Sequence, residues 1–158
     1  MADTETVVEL SKPRIATRMS VETALSKRRS VRTYSDRAVS LVDVSQLLWA
    51  AQGITGHYNK RTAPSAGALH RMSVTVVAAT VDSLPAGVYR YRPASHDLLL
   101  REAGDARSAL RGAADHQEAI GVSPVDLVIA GDPGEIVAKY GDRGLRYMHM
   151  EAGHISQN

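Results

Sequence analysis

The spacing of apolar residues along the chain predicts two helices near its start. Ser20 and Ser40 can each cap a helix, and we predict that these helices end near Arg28 and at Gly53 respectively. The second helix carries apolar residues three and four positions apart, at Leu41, Val44, Leu47, Leu48 and Ala51. This spacing predicts an amphipathic helix over residues 41–52.

Extended segments dominate the middle of the chain. Residues 72–81 and 125–130 are rich in valine and apolar enough for buried strands, and residues 88–92 and 97–101 read as a small meander between turns. Residues 30–34 alternate in the extended sense, which predicts a further strand. We expect an α+β fold with a mixed or mostly antiparallel sheet, in which 72–81 and 125–130 are central strands.

The last third of the chain is predicted to be largely helical. Residues 105–120 are rich in alanine, and a helical pattern resumes at Glu135 and still continues at Asn158. Its apolar face is set by Leu145, Met148, Ala152 and Ile155. Because no later segment covers this face, we expect a homodimer built on this helix and helix 41–52, or a complex with a second polypeptide.

Length and composition favour one globular domain. For the 158 residues we assign an N-terminal arm at 1–19 and a folded domain at 20–158. The net charge of +2, the lack of a long apolar run and the acidic start favour a soluble, cytoplasmic protein without nucleic-acid or membrane partners. The absence of cysteine excludes disulfides, thiol catalysis and thiolate metal sites.

Positive charge is concentrated early in the chain. Residues 11–40 hold eight basic and two acidic residues, a local charge of +6, and the densest run is Lys27-Arg28-Arg29-Ser30-Val31-Arg32. Arginine forks beside a hydroxyl suit a phosphate group, which they bind by charge-assisted hydrogen bonds. A solvated basic turn, or a nuclear-import or nucleic-acid patch, is the alternative interpretation.

A loop of small residues is the second chemical signal. Most side chains of this loop are small, so a flat or anionic ligand can approach its backbone N–H groups closely. The loop is Ala63-Pro64-Ser65-Ala66-Gly67-Ala68-Leu69-His70. An ordinary surface turn before a strand is the alternative.

Five segments together resemble the nitroreductase superfamily, in particular its branch of SagB-type and thiazole/oxazole-forming peptide dehydrogenases. They are RRSVRTY at 28–34, LLWAAQG at 47–53, APSAGALH at 63–70, LPAGVYRY at 84–91 and EAGHISQN at 151–158. The resemblance covers about residues 20–158. It implies an α+β fold, non-covalently bound FMN, and a homodimer with the flavin at the subunit interface.

The same resemblance implies roles for individual residues. Arg28, Arg29 and Ser30 match the segment near the FMN phosphate and ribityl chain, and Arg32 matches a cation near the flavin pyrimidine edge. The loop that approaches the flavin of the other subunit is matched by Pro64, Ser65, Ala66, Gly67 and Leu69. Arg71 stands where relatives usually have proline.

A Lys–Tyr pair and a Glu-x-x-His motif offer further chemistry. Lys139 and Tyr140 match a pair implicated in proton removal in azoline-oxidising relatives, and a desolvated lysine can act as a base near neutral pH. A solvated lysine beside a half-buried tyrosine is the alternative. The Glu-x-x-His motif places two candidate metal ligands, Glu151 and His154, on one helical face, with His149 nearby. Without further ligands this is a poor metal site, and we predict no bound metal.

The function implied is hydride transfer through flavin N5. The substrate is a peptide-derived azoline to be oxidised or a small electrophile to be reduced, with reduced nicotinamide as one candidate reductant. Family members continue past the position of Asn158, so we expect a fragment, one half of a split enzyme, or a shortened homologue. The alternative function is that of a non-catalytic homologue that serves in dimerisation or interaction.

Overall fold

A computed structural model describes residues 5–158, which form alternating short strands and helices. In chain order these are β1 (Val7–Glu9), α1 (Val21–Lys27), β2 (Val39–Ser40), α2 (Leu41–Gln52), β3 (Ile54–Gly56), β4 (Lys60–Arg61), β5 (Met72–Ala78), β6 (Val81–Asp82), β7 (Gly87–Arg92), β8 (Asp97–Ala103), α3 (Arg107–Ala113), α4 (Glu118–Val122), β9 (Val125–Gly131), α5 (Gly134–Tyr140) and α6 (Arg143–Gln157). A single 3₁₀ turn at Ala66–Ala68 precedes β5.

Five of the strands form one antiparallel sheet in the order β1-β8-β7-β5-β9. Strand β2 pairs with β6 in parallel, and β3 pairs with β4 as a short hairpin. The α+β fold class and the antiparallel sheet are therefore confirmed.

Serine caps fix where the first two helices begin. Ser20 Oγ accepts the backbone N–H of Thr23 at 3.2 Å, and Ser40 Oγ accepts that of Asp43 at 3.1 Å. Helix α2 ends at Gly53, whose N–H donates to the carbonyl of Trp49 at 2.7 Å. Both predicted helices are confirmed. Their starts could be predicted because a helix cap depends only on residues that are close in sequence.

The core lies between the sheet and the helices α2 and α6. Val44 and Leu48 of α2 are fully buried, and they share one cluster with Val76 of β5, Leu98 of β8 and Ile155 of α6. Burying each such side chain contributes about 1.5–3 kcal/mol relative to leaving it in water. Two helices of distant sequence position are therefore held on the sheet by a shared apolar layer.

The N-terminal arm is tied to this core by pairing and by a polar network. Strand β1 pairs with β8, and the carbonyl of Ser11 accepts the hydroxyl of Ser45 at 2.7 Å. His96 lies 3.0 Å from that hydroxyl through Nε2 and 2.9 Å from the Tyr91 hydroxyl through Nδ1. Burial raises the pKa of Tyr91 to about 12, so this hydroxyl keeps its proton.

Several strand predictions differ from the structure. The run 125–130 is not central, because β9 is an edge strand of the sheet in residues 5–158 and its residues are half-buried or exposed. Residues 30–34 form no strand, and Val31 is exposed, because no neighbouring strand pairs with them. The extended run from residue 72 ends at Ala78, beyond which the chain turns and Val81 starts the separate strand β6.

The helical predictions are corrected in two places. Residues 105–120 form two helices, α3 and α4, separated where Asp115 and His116 adopt left-handed backbone conformations with φ of 51° and 56°. The apolar face of α6 is largely covered by the chain itself, since Ile155 belongs to the core and Met148 and Ala152 pack against it. Leu145, which is 46% exposed, is the member of that face that remains open.

Within residues 5–158, no helix is long and apolar enough to cross a membrane. The same residues contain no group of three His, Asp or Glu side chains placed to hold a metal ion. His149 and His154 are exposed on α6, whereas Glu151 is 2% exposed, so the three side chains do not converge.

Candidate active site

The loop between β4 and β5 has an unusual backbone for its sequence. Gly67, Ala68 and His70 all have positive φ, at 62°, 54° and 50°. Left-handed backbone is strained for residues with a Cβ, and such strain often accompanies function. Ser65 stabilises the loop, since its hydroxyl accepts the His70 N–H at 3.0 Å. The result is an exposed turn of small side chains with a fixed shape.

This loop touches the Lys–Tyr pair. A Cβ added at Gly67 would lie 2.5 Å from Tyr140 Oη and 2.8 Å from Lys139 Nζ, so both polar atoms lie against the glycine backbone. Lys139 and Tyr140 end helix α5, and the next residue, Gly141, has a φ of 62° and ends the helical pattern. The structure thus brings together two groups that are 72 residues apart in sequence and that the resemblance assigned to one site.

The surroundings of the pair orient the tyrosine more than the lysine. The ring of Tyr140 packs edge-on against Tyr147 of α6, with centroids 5.2 Å apart. Lys139 Nζ lies 5.5 Å from the centre of the Tyr140 ring. Lys139 is exposed and Tyr140 is half-buried in the single chain. A desolvated lysine is therefore not a property of this chain in isolation.

Alanine at Gly67 should alter the site more than the stability. The added Cβ must displace Tyr140 Oη and Lys139 Nζ, which are the mobile ends of side chains, so the main cost of folding is the strained φ, about 1 kcal/mol. Gly104→Ala is the matched control, because Gly104 also has positive φ but has no atom within 4 Å of the added Cβ. Urea unfolding should show a loss of stability at least as large for Gly104→Ala, because its φ of 104° lies outside the left-handed region open to alanine, whereas only Gly67→Ala should weaken flavin binding or turnover. Equal functional losses would contradict this prediction.

The basic segment, residues 27–32, is exposed. It follows α1 as irregular chain, and Arg29 donates to the carbonyls of Ser26 at 2.9 Å and Arg28 at 2.7 Å. Arg28, Arg29 and Arg32 take part in no ion pair within residues 5–158. Ser30 is exposed between them. Their positive charge is therefore available to an anionic group.

No hydrogen bond among the described residues connects the basic segment to the loop at 63–70. The structure thus brings the loop together with Lys139 and Tyr140 and leaves the basic segment apart from them. Helix α1 buries no residue, and its Val21 and Leu25 are exposed together with Val31 of the segment. Exposed apolar side chains thus lie in and next to the basic segment.

A buried polar cluster near the start of the loop was not anticipated from the sequence. Arg61 of β4 donates from Nη1 to Oε1 of Gln52, the last residue of α2, at 2.6 Å. Burial lowers the pKa of the Arg61 guanidinium, and attraction to Glu151 opposes this effect. Burial and the charge of Arg61 lower the pKa of His70, which favours the neutral imidazole. A glutamine at a helix end and a lone arginine give no recognisable signal in one sequence.

The comparison with protein families is decisive. The nitroreductase family model matches residues 25–158, which include the basic segment, the loop and the Lys–Tyr pair. The chain belongs to the nitroreductase family. The predicted superfamily is thereby confirmed, and membership of this nitroreductase family implies an oxidoreductase activity. The peptide-dehydrogenase branch stays a prediction.

Individual relatives agree with this assignment. The chain is 38% identical over 140 residues to a protein of Methanocaldococcus jannaschii named "putative nitroreductase", a match that covers 89% of this chain and 71% of the relative. A crystal structure from Ralstonia eutropha with the same description superposes with a TM-score of 0.81 at 31% identity, covering 96% of this chain and 68% of the other. These matches confirm the nitroreductase-like fold.

A more distant neighbour shows the fold alone. A chain in the structure of the microcin synthetase complex of Escherichia coli superposes with a TM-score of 0.64 at 24% identity, covering 99% of this chain and 62% of that one.

The nitroreductase residues present here fit the FMN that the family generally binds. Gly67 is exposed, so a flat ring can approach its backbone from the open side, while the side to which a Cβ would point is occupied by Tyr140 Oη and Lys139 Nζ. Arg28, Arg29 and Arg32 supply cations without ion-pair partners in the described part of the chain. Cations of this kind suit a phosphate group, and an exposed loop of small residues suits a flat ring.

Proposed function

We propose that this nitroreductase-family chain acts as an FMN-dependent oxidoreductase. The observation that carries the proposal is the contact of the left-handed glycine of the loop with Lys139 Nζ and Tyr140 Oη. Bound FMN supplies hydride acceptance or donation at flavin N5. The side chains around the cofactor would bind it, orient the substrate and accept the proton.

Binding of the cofactor is assigned to two groups of residues. Arg28, Arg29 and Ser30 bind the phosphate and ribityl chain through charge-assisted hydrogen bonds, and Arg32 places positive charge at the pyrimidine edge. The ring contacts are supplied by the loop residues Pro64, Ser65, Ala66, Gly67 and Leu69. The left-handed backbone and the Ser65–His70 hydrogen bond support this role, because they fix the loop before any ligand arrives.

The finer proposal is oxidation of a peptide-derived azoline. Removal of hydride from such a ring must be accompanied by loss of a proton. The neutral amine of Lys139 accepts that proton, and the hydroxyl of Tyr140 orients the amine. The packing of Tyr140 on Tyr147 supports a fixed orientation of the hydroxyl. Lys139 becomes desolvated only when cofactor and substrate cover it, since it is exposed in the single chain.

We further propose that the complete site forms between two copies of the chain. The basic segment and the loop share no hydrogen bond among residues 5–158, and the apolar side chains of Val21, Leu25 and Val31 lie exposed beside the basic segment. A second copy would cover these side chains and bring its own loop to the segment. Light scattering at micromolar concentration should then give twice the mass of 17.0 kDa, and a mass of one chain would contradict the shared site.

Titration with FMN is the direct test of the proposed function. Saturating FMN should add flavin absorbance to the purified protein and raise its melting temperature. At 100 times the Kd, binding contributes about 2.7 kcal/mol, or roughly 5–10 °C for a chain of this size. If FMN neither binds nor stabilises, the enzymatic role fails for this chain. Binding without turnover of reduced nicotinamide would favour the azoline substrate over a general reductase.

The rival function is that of a non-catalytic homologue or one half of a split enzyme. The chain spans 71% of its M. jannaschii relative and 68% of its R. eutropha relative, so part of the relatives' length has no counterpart in these residues. A homologue without chemistry would still associate but would bind FMN weakly.

A further inference from the structure

A cavity of about 270 Å³ opens beside the first residues of β5 and the last residues of β7. Its polar lining includes Gln52, Arg61, His70 and Arg90. None of the residues assigned above to FMN or to proton transfer lines it. The volume lies just below the ~300 Å³ at which pockets for drug-sized molecules begin, so it suits a smaller ligand.

Hydrogen-bond donors without partners surround this cavity. Gln52 is 1% exposed, and its Nε2 has no hydrogen-bond partner within residues 5–158. The same holds for Nε of Arg61 and for Nδ1 of His70, which donates in one of the two neutral tautomers. The side-chain acceptor of Gln52, Oε1, already accepts a hydrogen bond from Arg61 Nη1. Glu151 Oε1 also has no partner within residues 5–158, but it does not line the cavity. Buried polar groups nearly always have partners, so the donors that face the cavity call for a further acceptor.

The charges around the cavity specify what kind of acceptor fits. Arg92 is neutralised by Asp97, to which it donates two hydrogen bonds of 2.6 and 2.8 Å. Arg61 is attracted by Glu151 without forming an ion pair with it, and Arg90 forms no ion pair in the described part of the chain. The lining therefore presents positive charge and N–H donors to the cavity. A carboxylate or phosphate group, which offers acceptors and no protons, matches both properties.

We propose that this cavity binds the oxyanion group, carboxylate or phosphate, of a small molecule. Arg61 and Arg90 supply the charge, and Gln52 supplies a buried amide donor. Such a ligand would also fix His70, whose backbone N–H donates to Ser65 of the flavin loop.

The test is titration of the full chain with inorganic phosphate and, separately, with benzoate, followed by Trp49 fluorescence and melting temperature. We expect saturable binding of at least one probe, and the stronger response identifies phosphate or carboxylate as the ligand group. Arg90→Gln should weaken this binding about tenfold or more, since hydrogen bonds to charged groups are the strong ones. Arg101→Gln is the matched control, an exposed arginine on β8 that does not line the cavity, and it should bind as the original chain does.

Two further arms separate this proposal from the FMN site. Arg28→Ala/Arg29→Ala should bind the probe unchanged, and saturation with FMN should leave the probe's affinity within about threefold. No saturable binding, equal weakening in Arg90→Gln and Arg101→Gln, or loss of binding in Arg28→Ala/Arg29→Ala would overturn the proposal. Failure of FMN to bind would not affect it. Because Arg61→Gln risks misfolding, Arg90 is the variant that decides.

Discussion

Replacing Arg28 and Arg32 with alanine should weaken FMN binding roughly 100-fold or more. Each charge-assisted hydrogen bond contributes about 1.5–3 kcal/mol, and 1.4 kcal/mol corresponds to a factor of ten. Neither arginine has an ion-pair partner in residues 5–158, and both are exposed, so their removal leaves no unpaired carboxylate and should not unfold the chain. Flavin fluorescence titration measures the change directly.

The matched control for that pair is Arg18→Ala/Arg37→Ala. Both residues are exposed, flank the basic segment and remove the same two positive charges. Long-range attraction for the phosphate would fall equally in both double variants, whereas direct contacts are lost only in the first. Equal affinities in the two variants would assign FMN binding to general charge and would favour the non-catalytic function. Light scattering of both should show unchanged association.

Features recorded in short stretches of sequence were predicted well. The caps at Ser20 and Ser40, the meander at β7 and β8, and the strand β5 depend on neighbours a few residues away, and each is present. Position within the sheet depends on pairing between distant segments. This is why 125–130 was expected at the centre and lies at the edge, and why 30–34 alternates without forming a strand.

The prediction that the chain itself leaves the apolar face of α6 uncovered was wrong for the same reason. Its apolar spacing indicated a buried face, but the partner surface is the chain's own sheet together with α2, whose sequence lies about 100 residues earlier. Periodicity shows that a face is buried and does not show against what. The argument for association therefore moves from α6 to the exposed side chains around α1.

The candidate site was predictable in its parts and not in its assembly. The loop and the Lys–Tyr pair were both singled out, and only the fold shows that Gly67 lies against Lys139 and Tyr140. The cluster of Gln52, Arg61 and Glu151 was not predicted, although Gln52 and Glu151 lie in segments that carry the resemblance, because no motif marks a buried polar cluster. Its signal is burial itself: Gln52 and Glu151 are 1% and 2% exposed, which is rare for these residue types.

Replacing Lys139 with alanine should lower turnover by about 10²–10⁴-fold and leave FMN affinity within a few-fold. A positioned acid or base contributes a factor of this size, whereas Lys139 is not assigned to the phosphate. The measurement is anaerobic bleaching of flavin absorbance by a thiazoline-containing peptide. Lys60→Ala is the control, since Lys60 is an exposed lysine of the β3–β4 hairpin and the chemical change is the same.

Lys139→Arg then separates proton transfer from charge. Arginine keeps the positive charge beside Gly67 but does not release its proton in proteins, so it cannot act as the base. If Lys139 accepts the substrate proton, the arginine variant should be nearly as slow as alanine. If the positive charge alone matters, the arginine variant should recover most of the rate, and the assignment of the base would be wrong.

Tyr140→Phe should give a smaller loss of turnover than Lys139→Ala, because it removes only the hydroxyl that orients the proton acceptor and keeps the ring packed against Tyr147.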